Sequence, residues 1–132
     1  MANTLYNKGR ELFLSADIDW LVDTIKVALV DTGTYTYSSA HDYYNDVSGV
    51  VGTPQTLGTK TATDGVADAA DVVFTAVAGN SVEALIIYKD TGVSATSPLI
   101  AYIDSATGLP VTPTGADITI TWDNGANKIF KL

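Results

Sequence analysis

The chain contains no cysteine and a single histidine, His41, among its 132 residues. Without cysteine there is no disulfide to cross-link the fold and no thiolate to act as a nucleophile or zinc ligand. One imidazole, with no G-x-S-x-G motif beside it, is a poor basis for a Ser-His-Asp triad. We therefore predict no catalytic residue, no zinc site and no cofactor, and a protein that is not an enzyme.

Charge and long apolar runs are also scarce. Charged residues make up 17% of the chain, and the formal net charge is −8. This acidity repels a phosphate backbone, so we expect no direct binding to nucleic acid. No apolar run approaches the roughly 18 residues of a membrane span, and the N-terminus lacks the apolar core of a signal peptide. We therefore expect synthesis in the cytoplasm and no association with a membrane.

Thirteen of the fifteen acidic residues are aspartate, and most lie beside Gly, Thr or Asn. A short carboxylate in such a place typically accepts hydrogen bonds from nearby backbone amides and forms a turn. Asp17 and Asp19 have a spacing that two glycosidase carboxylates could use, but close Asp pairs arise by chance in this composition. The three aspartates of residues 64–71 do not match an EF-hand loop, and a calcium site there stays open as an alternative.

Short alternating apolar segments predict a mainly β fold. Ile25, Val27 and Leu29 share one face of a strand, and so do Val72 and Phe74. Residues 82–89 form the most apolar segment, which is typical of a central strand covered on both faces. We predict an antiparallel β-sandwich, jelly-roll-like, with a barrel as the alternative. The predicted domains are an N-terminal arm or short helix over residues 1–16 and a single β-sandwich over residues 17–132.

The C-terminal residues 117–132 have the pattern of a β-hairpin. Ile118, Ile120 and Trp122 alternate with threonines, and Asn124-Gly125 is a pair that favours a type I′ turn. A two-residue turn at this position would pair Ile120 with Ile129.

Two segments are candidates for contact with other molecules. Residues 3–14 predict a short helix or extended arm capped by Asn3 or Thr4, with Leu12 and Phe13 on its apolar face. The irregular residues 34–54 carry four tyrosines, and tyrosine gives a large contact area at little entropic cost. Packing under a long loop explains these tyrosines equally well. The candidate interface residues are Leu12, Phe13, Tyr35, Tyr37, Tyr43 and Tyr44.

Several strings, spread over nearly the full length, resemble small virion structural proteins of tailed bacteriophages, including the capsid cement (decoration) proteins of cyanophages. These strings are distinctive in combination. They are Leu5-Tyr-Asn-Lys-Gly-Arg-Glu11, Asp17-Ile-Asp-Trp20, Ile25-Lys-Val-Ala-Leu-Val-Asp31, Val82-Glu-Ala-Leu-Ile-Ile-Tyr-Lys-Asp-Thr-Gly92, Leu99-Ile-Ala-Tyr-Ile-Asp104 with Gly108-Leu-Pro110, and Trp122-Asp-Asn-Gly-Ala-Asn-Lys-Ile-Phe130.

The resemblance implies a non-enzymatic protein on the outer surface of the virion head, with the major capsid protein as partner and a homotrimer as the oligomer. It supplies no catalytic motif. Two alternatives stay open: a tail, neck or fibre-base component, and a carbohydrate-binding module displayed on the virion. The second would need an exposed aromatic platform, whereas Trp20 and Trp122 lie in segments that predict core positions.

Overall fold

A computed structural model describes residues 3–132, so Met1 and Ala2 of the predicted N-terminal arm lie outside the described residues. This part of the chain contains one α-helix, α1 (Asn7–Leu14), and nine β-strands. The strands are β1 (Thr4–Leu5), β2 (Ile25–Val30), β3 (Val50–Thr56), β4 (Val66–Ala67), β5 (Val72–Phe74), β6 (Ala84–Lys89), β7 (Leu99–Ile103), β8 (Ile118–Ile120) and β9 (Phe130–Lys131).

Five strands form the main antiparallel sheet, in the order β1-β7-β6-β2-β3. β6 is the middle strand, and residues 84–88 are buried, which confirms that the most apolar segment is central. β2 pairs with β6 along its whole length, from Ile25 opposite Lys89 to Val30 opposite Ala84. The prediction of a mainly β, antiparallel fold with a short N-terminal helix is confirmed.

Alternate residues of the main sheet enter two separate cores. Ile25, Val27 and Leu29 of β2 lie in the larger core together with Leu85 and Ile87 of β6. Their neighbours along the strands, among them Ala28, Val30, Ile86 and Tyr88, lie in a smaller core on the opposite face. A strand covered on both faces needs apolar residues at successive positions, which explains the continuous apolar run of β6.

Two small sheets, β5-β8 and β4-β9, supply strands on the larger-core side and make the fold sandwich-like. Ile118 and Ile120 are buried in this core opposite Phe74 and Val72, while Thr119 between them is exposed. The alternation predicted for this segment is therefore confirmed. The jelly-roll strand order and the domain division at residue 17 stay predictions.

The predicted C-terminal hairpin is wrong. β8 pairs with β5, and β9 pairs with β4, so the two halves of residues 117–132 join different sheets. Gly125 does not have the positive φ of a type I′ turn, and its N–H instead donates to Oδ1 of Asp123, 3.1 Å away. Just before this turn, the indole N–H of Trp122 donates to the carbonyl of Ala70, which attaches this part of the chain to the segment that precedes β5. An Asx turn at Asp123 thus takes the place of the hairpin turn.

The helix begins later than predicted, because Thr4 and Leu5 pair with Tyr102 and Ala101 of β7. Asn3 caps no helix; its Oδ1 accepts hydrogen bonds from the backbone N–H groups of Asp104 and Ser105. Gly9, in the middle of α1, lies against the backbone of β7, where a Cβ atom would come within 2.8 Å of the Leu99 carbonyl oxygen. Close helix-to-strand packing therefore explains a residue that weakens the helix.

Candidate functional site

The smaller core is built largely from tyrosine, and we call it the tyrosine face. The tyrosine rings pack together on one face of the main sheet, and some of them come from the loop that covers this face. The members are Tyr6, Tyr35, Tyr37, Tyr44, Tyr88 and Tyr102. Tyr88 and Tyr102 come from strands β6 and β7 of the main sheet, and Tyr35, Tyr37 and Tyr44 come from the loop of residues 34–49. The sheet therefore holds this loop by ring packing. The irregular segment predicted over residues 34–54 thus ends earlier than expected, since β3 begins at Val50.

Hydrogen bonds connect the deepest members of the tyrosine face to the only imidazole. The hydroxyl groups of Tyr6 and Tyr35 lie 2.9 Å apart, and the Tyr35 hydroxyl lies 2.7 Å from Nδ1 of His41. Each buried hydroxyl has a partner, which removes most of the free-energy penalty of burying it. His41 thus contacts Tyr35 within the loop, and Tyr35 in turn connects the loop to Tyr6.

Ring contacts fix the other end of the segment. Tyr44 stacks on Tyr88 with ring centroids 4.1 Å apart and planes 12° from parallel. The Asp46 carboxylate accepts hydrogen bonds from the backbone N–H groups of Asp42 and Tyr43, forming a compact turn. Nζ of Lys8 lies 5.9 Å from the centre of the Tyr43 ring, within the range of a cation–π contact.

Burial changes the ionisation of the tyrosine face. Desolvation raises the pKa of Tyr6 strongly, and it also raises the pKa of Tyr88 and of Tyr44. At Asp46, the hydrogen bond from the Asp42 backbone lowers the pKa of the carboxyl group, because it favours the charged form. The phenols therefore stay neutral, and the loop carboxylate stays charged, at neutral pH.

The six candidate interface residues occupy three different environments. Tyr35 is only 2% exposed and supports the loop from below. Tyr37, Tyr43 and Tyr44 are half-buried, so each presents part of its ring at the surface. Leu12 and Phe13 are half-buried on α1 and pack against the larger core, with the Phe13 ring 6.0 Å from the ring of Phe130. Between the tyrosines and these two helix residues, the structure brings only Leu12 and Tyr43 together, in the wall of one groove of about 360 Å³. Tyr35, Tyr37 and Tyr44 lie with the smaller core, and Phe13 packs against the larger core.

Both tryptophans are buried, as their sequence positions predict. Trp20 and Trp122 are 5% and 4% exposed, and their indole N–H groups donate to the carbonyls of Thr61 and Ala70. Neither indole presents a flat face to solvent, so neither can supply the stacking platform of a carbohydrate-binding module.

The aspartates mostly shape turns, as predicted. In three Asp-x-Gly triplets, the carboxylate of Asp31, Asp90 or Asp123 accepts a hydrogen bond from the glycine N–H two residues later. Asp19 accepts in the same way from the N–H groups of Leu21 and Val22. Within residues 3–132, no group of three His, Asp or Glu side chains is placed to hold a metal ion.

Comparison with protein-family models gave no match, and no curated protein matched the chain. In the described part of the chain, none of the helices has the length and apolarity of a membrane-spanning segment.

Two features were not predicted from the sequence: the contribution of β6 and β7 to the tyrosine face, and two exposed leucines. Tyr88 and Tyr102 belong to the tyrosine face, and the period-two alternation Ala84, Ile86, Tyr88 along β6 would have placed Tyr88 there. The exposed apolar residues Leu14, which ends α1, and Leu132, which follows β9, carried no distinctive sequence signal.

Proposed function

We propose that this chain is a non-enzymatic cement protein of a tailed-phage head, which binds the outer surface of the shell and stabilises it against the pressure of packaged DNA. Its partner on the shell would be the major capsid protein, and it would bind as a homotrimer. In the infected cell it would be made in the cytoplasm before joining the virion.

The observation that carries this proposal is where the strings that resemble phage virion proteins lie in the fold. The string that begins at Ile25 contains β2, the string that begins at Val82 contains β6, and the string that begins at Leu99 contains β7. These three strands are the centre of the main sheet. The resemblance therefore covers the residues that determine the two cores, in addition to scattered surface turns.

The packing of the sheet supports a role in resisting mechanical force on the shell. Both faces of the sheet are covered, and the rings of Tyr44 and Tyr88 tie the covering loop to the central strand. A densely packed domain deforms little under an applied force, because its side chains already interdigitate. A protein that reinforces a pressurised shell requires this stiffness.

The half-buried rings of Tyr37, Tyr43 and Tyr44 are the proposed capsid contact, together with Leu12, which lines one groove with Tyr43. Partly exposed tyrosine binds a protein surface with little loss of side-chain entropy. The net charge of −8 would complement a basic outer capsid surface and speed the encounter.

The test is a binding experiment with heads that lack the chain. Purified protein is added to such heads, and bound copies are counted against the major capsid protein on a quantified gel. We expect saturation at a copy number near that of the major capsid protein, and heads that resist heating better once it is bound. Tyr43→Ala should weaken binding, whereas Val73→Ser, a change at an exposed position on β5, should not.

Copy number separates this function from its main rival. A tail, neck or fibre-base component would be present in a handful of copies per virion. Such a count, or density inside the tail in a cryo-EM map of the virion, would overturn the proposal.

A further inference from the structure

An exposed apolar stripe runs beside the end of α1. It follows two adjoining grooves of about 340 and 440 Å³ that share Phe13 and Leu132 in their walls. Leu14 lines one groove and Leu21 lines the other. We use the name apolar stripe for Phe13, Leu14, Leu21 and Leu132.

Three residues of the apolar stripe are unusually exposed for their type. Leu14 is 90% exposed, Leu132 is 60% exposed and Leu21 is 54% exposed, and Val22, next to Leu21, is 80% exposed. Single exposed leucines are ordinary, but contiguous ones that line shared grooves are typical of a surface that another molecule covers.

The two ends of the apolar stripe carry opposite charge. Of these two grooves, the one that holds Leu14 is lined by Arg10 and Lys131, and the one that holds Leu21 is lined by Asp19. A neighbouring groove extends the basic end to Lys128 and also contains one carboxylate, that of Asp123.

The cations at this end are the ones left over by the rest of the chain. Lys8, Lys26 and Lys89 form ion pairs with Glu11, Asp90 and Asp23. Lys60 instead donates to the backbone carbonyl of Asp23. Arg10, Lys128 and Lys131 form no ion pair with any residue in the described range 3–132. In a chain of net charge −8, three of the four cations without an ion pair in the described range are thus gathered at one end of an apolar surface.

We propose that the apolar stripe is the surface through which copies of this chain associate, with the basic end of one stripe against the acidic end of the stripe in a neighbouring copy. When the basic end of each copy contacts the acidic end of the next, the contacts run head-to-tail, and contacts of this kind can close into a ring such as the proposed trimer. A second copy would also place the Asp19 carboxylate near cations that have no ion pair within one copy. This surface would build the homotrimer of the proposed function, and the inference rests on that oligomer and not on the binding to a head.

The test measures self-association of the purified chain by sedimentation velocity over a range of concentrations. We expect the wild-type chain to form a discrete oligomer. Leu14→Glu should raise its dissociation constant at least about tenfold, because it places a charge where an apolar side chain is buried between copies. Val73→Glu makes the same kind of change at an exposed position on β5 and should leave the constant unchanged. Since both side chains point into solvent in the single chain, folding should be preserved, and circular dichroism checks this.

A second pair of variants tests the charged ends. Arg10→Glu with Lys131→Glu should weaken association, and so should Asp19→Asn, which keeps an oxygen able to accept from the backbone of residues 21 and 22. A wild-type chain that is monomeric at every concentration overturns the inference. So does equal weakening by Leu14→Glu and Val73→Glu. A monomeric chain would also contradict the proposed homotrimer, but neither result bears on the proposed binding to heads, since bound copies are counted separately.

Discussion

The hydroxyl group of Tyr35 lies 2.7 Å from Nδ1 of His41, and this contact links two residues of the loop of residues 34–49, which precedes β3. The same hydroxyl is 2.9 Å from that of Tyr6, whose side chain is completely buried. One oxygen atom thus connects the segment before α1, the covering loop and the lone imidazole.

Removing that oxygen should destabilise the protein. Tyr35→Phe leaves the Tyr6 hydroxyl and the His41 nitrogen without this partner, so we expect the free energy of unfolding to fall by about 1–3 kcal/mol. Urea denaturation measures this change. Tyr37→Phe is the matched control, since the Tyr37 ring packs on Tyr6 and Tyr102 through its carbons, and it should change stability by less than about 0.5 kcal/mol. Equal losses in the two variants would contradict a role for the hydrogen bonds.

The buried Tyr6 should make the chain unfold at a lower alkaline pH than repulsion between its surface charges alone would cause. Burial raises the pKa of Tyr6, so above about pH 10 the unfolded chain loses this proton and the folded chain keeps it. The free energy of unfolding is therefore unaffected by Tyr6 below about pH 10 and falls above it, by up to about 1.4 kcal/mol per pH unit. Phenolate absorbance followed together with circular dichroism tests this. Titration of every tyrosine before any loss of structure would refute it.

Gly9 should tolerate no side chain, although it lies within a helix. Alanine normally favours a helix over glycine by about 1 kcal/mol. Here the added Cβ atom would lie 2.8 Å from the Leu99 carbonyl oxygen and 2.9 Å from Cα of Ile100, both backbone atoms. We expect Gly9→Ala to lower the melting temperature and Gly58→Ala, where no heavy atom lies within 4 Å, to leave it unchanged or raise it slightly. Thermal unfolding followed by circular dichroism checks both.

Gly108 and Gly125 distinguish the observed pairing of the C-terminal strands from the hairpin. Gly108 has a φ of +108°, and a Cβ atom there would lie 2.7 Å from the Thr119 carbonyl oxygen, so Gly108→Ala should cost about 1–3 kcal/mol. At Gly125 the nearest atom is the end of the flexible, exposed Asp123 side chain, so Gly125→Ala should cost far less. A type I′ hairpin turn would reverse this order, and urea denaturation of both variants decides between them.

Local pattern predicted the strands well and their partners poorly. Ile118, Thr119 and Ile120 alternate as a half-buried strand must, and the continuous apolar run of β6 correctly indicated the centre of the sheet. Pairing depends on contacts between distant parts of the chain. Asn124-Gly125 favours a hairpin only if no other bond competes for the glycine, and Asp123, two residues earlier, provides that bond.

Only part of the candidate surface could be predicted from the sequence, because the sequence shows the spacing of residues within a segment and not which distant segments meet in the fold. The tyrosines of residues 34–54 drew attention by their composition, yet nothing local distinguishes Tyr35, which is buried, from Tyr37, which is half-buried. The apolar stripe joins the end of α1 to residue 132 and to Leu21, and three separated segments of this kind meet only in the folded chain.

The pairing of β8 with β5 and of β9 with β4 determines the order in which parts of the fold can be completed during synthesis on the ribosome. The main sheet, from β1 to β7, is complete in sequence by Ile103, whereas β4 and β5 have their strand partners only within residues 118–131. During synthesis the larger core therefore stays open on one side while the main sheet is already able to form. Until the last strands emerge, that open core is the apolar surface a chaperone would meet.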